Sequence, residues 1–498
     1  MGTRRSMSEA APPSFAARVR SAVLWRSGSQ IVTQIVSWAS TLIVIRLLAP
    51  EHYGLFAMAG VVLVLLNTMN GYGLASALIR EAEVTTQRLR QTLGMLILLN
   101  GGLALAQFCA APLVAAYFRQ PEVADILRVQ SLIYLTVPFS ALPHAILSRK
   151  MDFRRPAQVR LVAAIVGAAT ALSMAVAGFG VWTLVFAPIA MYVTEATGMM
   201  IAARAPWRPS FRFTGAGHIA GFGGMMTLTQ LFWFIQSQAD VMIAGRILEA
   251  HWLGVYTTAL FLAQLLAAKF VPPINEVAFA AYSRQQQRGP GPVLATIRLV
   301  LLIALPAYAG MAATAAPLVS VLLGEQWHEI GPILPILALA MSLMTLQILF
   351  SPATNALGLP KVAMRISMLG AVVMPLSFLA GAQFGVPGFA WGWVGGMAVL
   401  TGITVLYSGR VLGLTFAALS GAISPIAFAA VLMAGCVYLV RTILPAMPDL
   451  AQLALLVPLG MAIYLGVLQA IAPDRLAEAL HFVRNREPAS APAANSAA

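Results

Sequence analysis

Two carboxylates in this sequence stand where carboxylates are costly. Asp240 and Glu195 fall inside long apolar segments, and acidic groups at such positions are usually functional. Each has two readings. Asp240 is either a structural partner of Arg246 or of a loop amide, or a carboxylate that couples movement of a substrate to a cation or proton. Glu195 divides in the same way. Four basic residues form a second set: Lys269, Arg160, Arg298 and Arg365, each toward the same end of an apolar segment. They either snorkel to headgroups or make a cationic floor, because a diphosphate needs several charged donors. Gln30, Gln34, Gln230 and Gln236 place amides on two segments 200 positions apart. Such amides join helices or meet sugar hydroxyls in a cavity that accepts glycans.

Other chemistry is missing. There is no Gly-x-x-x-x-Gly-Lys-Ser/Thr phosphate loop and no metal-binding Asp-x-Asp pair. His328-Glu329-Ile330-Gly331-Pro332 lacks the second histidine of a zinc helix, and its proline would break one. Cys109 and Cys436 both lie in apolar segments and read as packing residues. The sequence therefore predicts no enzyme, no metal and no cofactor. Met1-Gly2-Thr3-Arg4-Arg5-Ser6 fits a myristoylation pattern by letter, but a chain with many spans gains nothing from a lipid anchor.

The elements that must position these residues are membrane helices. Hydrophobic residues make up 59% of the 498 and charged residues 10%, against roughly a quarter charged in soluble domains. The apolar runs are long enough to cross a bilayer as helices. We expect fourteen spans, near 26–48, 53–78, 91–116, 124–147, 157–178, 181–203, 218–245, 252–274, 295–322, 332–357, 362–381, 385–408, 416–440 and 450–472. This is an all-α polytopic membrane protein. A β-barrel is excluded, since its strands would alternate polar and apolar residues. With fourteen spans, 26 of the 31 Lys and Arg residues fall on the side of the two termini. That asymmetry predicts cytoplasmic termini. It also accounts for the net charge of +14 without a nucleic-acid partner.

The chain repeats itself. Arg46-Leu47-Leu48-Ala49-Pro50-Glu51-His52-Tyr53-Gly54 returns as Arg246 to Gly254, at an offset of 200. Arg160 with Phe179-Gly180-Val181 returns as Arg365 with Phe384-Gly385-Val386, at an offset of 205. Six spans separate the copies, so both face the same side, as parallel repeats do. The expected organisation is a tail at 1–25, an N-lobe at 26–203, a Pro-rich basic linker at 204–217, a C-lobe at 218–410, an extra helix pair at 411–472 and a tail at 473–498. Gly217-x-x-x-Gly221, Gly381-x-x-x-Gly385 and Gly392-x-x-x-Gly396 are close-packing signals. Pro138, Pro188, Pro306, Pro317, Pro335, Pro375, Pro425 and Pro458 lie within the spans and are expected to bend them.

The twin motif resembles the signature of the Wzx-type polysaccharide exporters, the PST branch of the MOP flippase superfamily. The residues that carry it are Arg46 to Gly54, Asp240 with Arg246, Leu253, Gly254 and Tyr256, and Arg149-Lys150-Met151-Asp152-Phe153-Arg154. Glu249-Ala250-His251 departs from the Gly-rich turn often found in such proteins. The resemblance implies two MATE-like lobes that rock around a central cavity in a bacterial inner membrane. It implies transport of undecaprenyl-diphosphate-linked oligosaccharide for exopolysaccharide, capsule or O-antigen synthesis, with a polymerase and co-polymerase as partners. In that setting Lys269, Arg298, Arg365 and Arg160 would meet the diphosphate. Gln30, Gln34, Gln230 and Gln236 would face the glycan, and Asp240 and Glu195 would couple an ion or proton. The rival readings are a multidrug/cation antiporter with the same core and a passive scramblase. An integral glycan polymerase would need a large outer loop, and the sequence has none.

Overall fold

Inside a bilayer, a helix satisfies its own backbone N–H and C=O groups, so long apolar runs fold as helices. The computed structural model of the chain describes residues 15–69, 85–212, 224–284 and 290–477. Among these, every regular element is helical. The basic segment before residue 15, the linker from 213 with Gly217-x-x-x-Gly221, and the tail from 478 lie outside the described residues. Twelve segments are long and apolar enough to cross a membrane. One of them, Lys361–Leu412, holds two helices that are each long enough to span, and two others, Glu122–Arg149 and Leu334–Ala356, are each broken into two shorter helices.

The chain divides into two compact units, Met1–Leu228 and Thr229–Ala498. The first contains α1 (Phe15–Leu47), α2 (Pro50–Asn67), α3 (Thr86–Phe118), α4 (Glu122–Gln130), α5 (Leu132–Arg149), α6 (Arg154–Val176) and α7 (Val181–Ala203). Thr85 caps α3 by accepting from the Arg88 N–H at 3.2 Å. The start of the linker folds back onto α3. Ser210 N–H donates to the Arg90 carbonyl at 2.8 Å, and Gln91 Nε2 to the Arg212 carbonyl at 2.7 Å.

The second unit begins within α8 (Gly224–Ile247). It continues with α9 (Ala250–Arg284), α10 (Gly291–Ala313), α11 (Ala315–Leu323), a 3-10 turn (Glu325–Ile330), α12 (Leu334–Ile348) and α13 (Phe350–Ala356). α14 (Pro360–Gly381), α15 (Gly385–Leu412), α16 (Phe416–Ile443) and α17 (Asp449–Ile471) complete it. α8 is absent from the twelve apolar segments; its glutamines and Asp240 lower its hydropathy. The extra pair α16 and α17 docks on α10 through Ala313, Ala429, Ala430 and Met433, and Tyr464 Oη donates to the Leu302 carbonyl at 2.8 Å.

The repeat is visible in the backbone. α1 ends at Leu47 and α2 begins at Pro50; α8 ends at Ile247 and α9 begins at Ala250. At both joints the next N–H bonds back into the helix, Leu48 to Val44 at 3.0 Å and Leu248 to Ala244 at 2.7 Å. The second landmark agrees. Gly180 has φ 55° and ψ −129°, and Gly385 has φ 65° and ψ −151°. This region is essentially reserved for glycine.

Three spans differ from expectation. The run at 124–147 breaks at Ser131, that at 295–322 at Thr314, and that at 332–357 at Leu349. Pro317 and Pro335 fall in the first turns of α11 and α12, so they start helices instead of bending them. Pro138, Pro188, Pro306, Pro375, Pro425 and Pro458 do lie inside helices, together with Pro112 and Pro143.

Candidate functional site: a buried carboxylate between three helices

The short joint at Leu248 and Glu249 turns α9 back along α8, which sets Tyr256 beside Asp240, 16 positions earlier. The third member comes from far along the chain. Trp393 stands on α15, held edge-on against Phe378 of α14 with ring centroids 5.4 Å apart. Gly392 and Gly396 make that contact possible. A Cβ at Gly392 would lie 3.0 Å from the Ser377 carbonyl, and one at Gly396 would lie 2.7 Å from Met374 Sδ. The Gly392-x-x-x-Gly396 signal is thus the surface on which α14 packs.

Asp240 and Tyr256 are fully buried, and Trp393 is nearly so. Tyr256 Oη donates to Asp240 Oδ2 at 2.9 Å. The Trp393 indole N–H lies 3.2 Å from that same oxygen and 2.7 Å from Tyr256 Oη, so it is shared between them. Hydrogen bonds of this kind are what make a buried carboxylate tolerable. The other carboxylate oxygen, Oδ1, is buried and meets no side-chain donor among the described residues. Among the described residues Asp240 is therefore held by a tyrosine and a tryptophan on two other helices, and its second oxygen meets no side-chain donor. A proton or a small cation could occupy that oxygen.

The other expected site residues are distributed as follows. Arg160 of α6 and Glu195 of α7, expected in separate roles, pair with each other at 3.3 Å. Arg160 is 55% exposed and Glu195 20%. Arg298 is half-buried on α10, and Arg365 is exposed on α14. Lys269 lies in α9, but its side chain is outside the described residues. Gln30 on α1 and Gln230 on α8 are exposed, and Gln34 and Gln236 are half-buried. The Gln236 amide occupies the space over Gly370 of α14, a helix-joining placement.

Two features escaped the sequence. Trp393 gave a signal that could have been read: an indole N–H in an apolar helix needs an acceptor. The other is His251, whose Nε2 lies 2.6 Å from Glu329 Oε2 and ties the start of α9 to the 3-10 turn. It falls at the position where the joint departs from the Gly-rich turn.

Against known families, the model described as "Polysaccharide biosynthesis protein" matches residues 43–332, more than half of the chain. The chain belongs to the polysaccharide biosynthesis protein family. The match takes in both copies of the joint and Asp240, in agreement with the resemblance carried by the motifs. The succinoglycan biosynthesis transport protein ExoT of Rhizobium meliloti (strain 1021) is 26% identical over 338 residues, 67% of this chain and 68% of that protein. The lipopolysaccharide biosynthesis protein WzxC of Escherichia coli (strain K12) is 20% identical over 380 residues, 71% of this chain and 76% of that one. Among solved structures, the lipid II flippase MurJ in an inward closed conformation superposes with a TM-score of 0.72 at 13% identity. That superposition covers 91% of this chain and 100% of that one, so the fold is shared.

Proposed function

We propose that this family member is a flippase that carries undecaprenyl-diphosphate-linked oligosaccharide repeat units across the bacterial inner membrane by alternating access. The observation that carries the reading is the family match over residues 43–332, which holds the repeated joint and the helix of the buried acid together. A relative named as a transport protein in succinoglycan biosynthesis supports it. Both termini are cytoplasmic, by the excess of basic residues on that side. The two lobes are the repeated halves. The protein breaks no covalent bond, and a polysaccharide polymerase and co-polymerase receive its product.

The residues take the following parts. Arg160, Arg298, Arg365 and Lys269 meet the diphosphate, whose charges need several donors. Glu195 holds Arg160 in the absence of substrate and releases it to phosphate. Gln30, Gln34 and Gln230 offer amides to the glycan, while Gln236, expected beside them, joins α8 to α14. Asp240 takes up a cation or proton on its second oxygen, and Tyr256 and Trp393 position it.

Deleting the gene in its host and returning variants tests this. The expected result is loss of surface polysaccharide with build-up of lipid-linked repeat units on the cytoplasmic leaflet, restored by the intact gene. Normal polysaccharide combined with new sensitivity to cationic drugs would replace the flippase with an antiporter.

A further inference from the structure

The second unit holds a cavity of about 430 Å³, lined by charged and apolar side chains together, that the proposed transport cycle does not use. It is built where α11 runs into the 3-10 turn, beside the end of α16 and the start of α17. This is within the size range of small-ligand sites. Its charged lining is mixed: Arg441 on one part, Glu325 and Asp449 on others, with His328 between helices. Among the described residues these charges do not pair with one another. Arg441 Nη1 donates to the Ala313 carbonyl at 3.3 Å, and Glu325 Oε1 accepts from Ser320 Oγ at 2.8 Å. Opposite charges that line one cavity without meeting leave both available to a third body.

The surroundings identify the body. Tyr438 of α16 lines the cavity and is itself exposed, and Leu439, Ile443 and Leu450, close to it or to Asp449 in sequence, are among the most exposed apolar residues of the unit, Ile443 at 74%. Such a surface belongs against acyl chains. An aromatic ring at that level suits the interface between chains and headgroups. The ligand is therefore amphiphilic, which a free sugar is not. It also carries one charge of each sign. A diphosphate would face two carboxylates and one guanidinium, so the lipid-linked substrate fits poorly.

We infer that this cavity binds the headgroup of a zwitterionic phospholipid, with its phosphate on Arg441 and its primary ammonium between Glu325 and Asp449. In the proposed orientation the lipid belongs to the outer leaflet. The extra helix pair would then seat a resident lipid beside the lobe.

Native mass spectrometry of the full-length chain in detergent tests this, with phosphatidylethanolamine or phosphatidylglycerol added at equal concentration. The intact protein should retain the ethanolamine lipid about tenfold more tightly, a difference of about 1.4 kcal/mol. Asp449→Asn should abolish that preference and leave phosphatidylglycerol binding as it was, whereas Arg441→Gln should weaken retention of both lipids, since both carry the phosphate. Arg441 also holds the Ala313 carbonyl, so if that variant misfolds, Asp449→Asn carries the test alone. Equal retention of both lipids by the intact protein would overturn the assignment, as would an unchanged preference in Asp449→Asn. No transport is measured, so failure here leaves the flippase reading untouched, and failure of that reading leaves this one standing.

Discussion

The two halves of the chain have the same joints and different polar interiors. Offsets of 200 and 205 carry the backbone break at Leu48 onto Leu248 and the glycine turn at Gly180 onto Gly385. The same offsets carry Asp240 onto Ser40, Tyr256 onto Phe56, and Trp393 onto Pro188. The first half therefore lacks the triad's carboxylate and both of its aromatic donors, keeping only the Ser40 hydroxyl. In return, the Arg160–Glu195 pair of the first half corresponds in sequence to Arg365 and Leu400 of the second, so the acid has no counterpart there. A joint is fixed by a few residue types, because only some residues can end a helix or take a positive φ. Side chains between helices have more freedom, and the halves have used it to place Asp240 and Glu195 at unmatched positions. Asp240 is sealed, and Glu195 is half-open with a basic partner.

The largest expected effect follows from that asymmetry. Asp240→Asn keeps an acceptor for Tyr256 and Trp393 but removes the charge. It should lower polysaccharide export at least about tenfold, equivalent to about 1.4 kcal/mol, while thermal unfolding of the purified protein stays near that of the parent. Ser40→Ala, at the matched position, should leave export near normal. Equal loss in both variants would mean that the halves contribute alike and that the sealed acid has no special part.

The glycine turns come next, because their effect is on stability and can be scaled. Alanine in this region of φ and ψ costs about 1–3 kcal/mol at either position. At Gly180 a Cβ would also lie 2.7 Å from His52 Nε2, whereas at Gly385 it meets nothing within 4 Å. Overpacking adds about 1–3 kcal/mol. Gly180→Ala should thus unfold at a clearly lower temperature than Gly385→Ala. The reverse order would show that the first joint yields at His52 without strain.

Much of this was legible in the sequence for a physical reason. A repeat is visible wherever backbone geometry constrains residue type, and both joints and both glycines do so. Apolar runs located the helices because burying bare backbone in lipid is prohibitive. The breaks at Ser131, Thr314 and Leu349 were not legible, since each lies within continuous apolar sequence that a helix could equally span. Pro317 and Pro335 were misread because a proline in the first turn of a helix and one in its middle look alike until the helix start is known. Asp240 stood out by its cost. Its partners did not, because Trp393 reaches it across 153 positions and no local pattern encodes such a meeting. The Arg160–Glu195 pair was missed in the same way, 35 positions apart.

A smaller effect is expected from that pair. With Arg160 more than half exposed, its coupling to Glu195 should be about 0–1 kcal/mol in a double-mutant cycle on thermal stability. Export should respond more strongly. Arg160→Ala should reduce it several-fold, whereas Glu195→Gln, which frees the guanidinium, should spare diphosphate binding. Parallel losses of stability and export in both variants would reduce the pair to a structural clamp.

The smallest effect should come from the joints after α1 and α8, where the halves differ in what holds them. His251 of the second joint meets Glu329 at 2.6 Å, with exposures of 40% and 25%. Its counterpart in the first joint is Glu51, 60% exposed and 4.0 Å from the adjacent His52. A half-exposed contact of this kind contributes about 0.2–1 kcal/mol, and a fully exposed neighbour less. His251→Ala and Glu329→Gln should each lower the unfolding temperature slightly and by the same amount, and the double variant should lower it no further, because the two side chains act as one contact. Glu51→Gln should be silent. If Glu51→Gln proved as costly as His251→Ala, the tie to the 3-10 turn would add nothing that the first joint lacks, and the divergence at Glu249-Ala250-His251 would have no structural consequence.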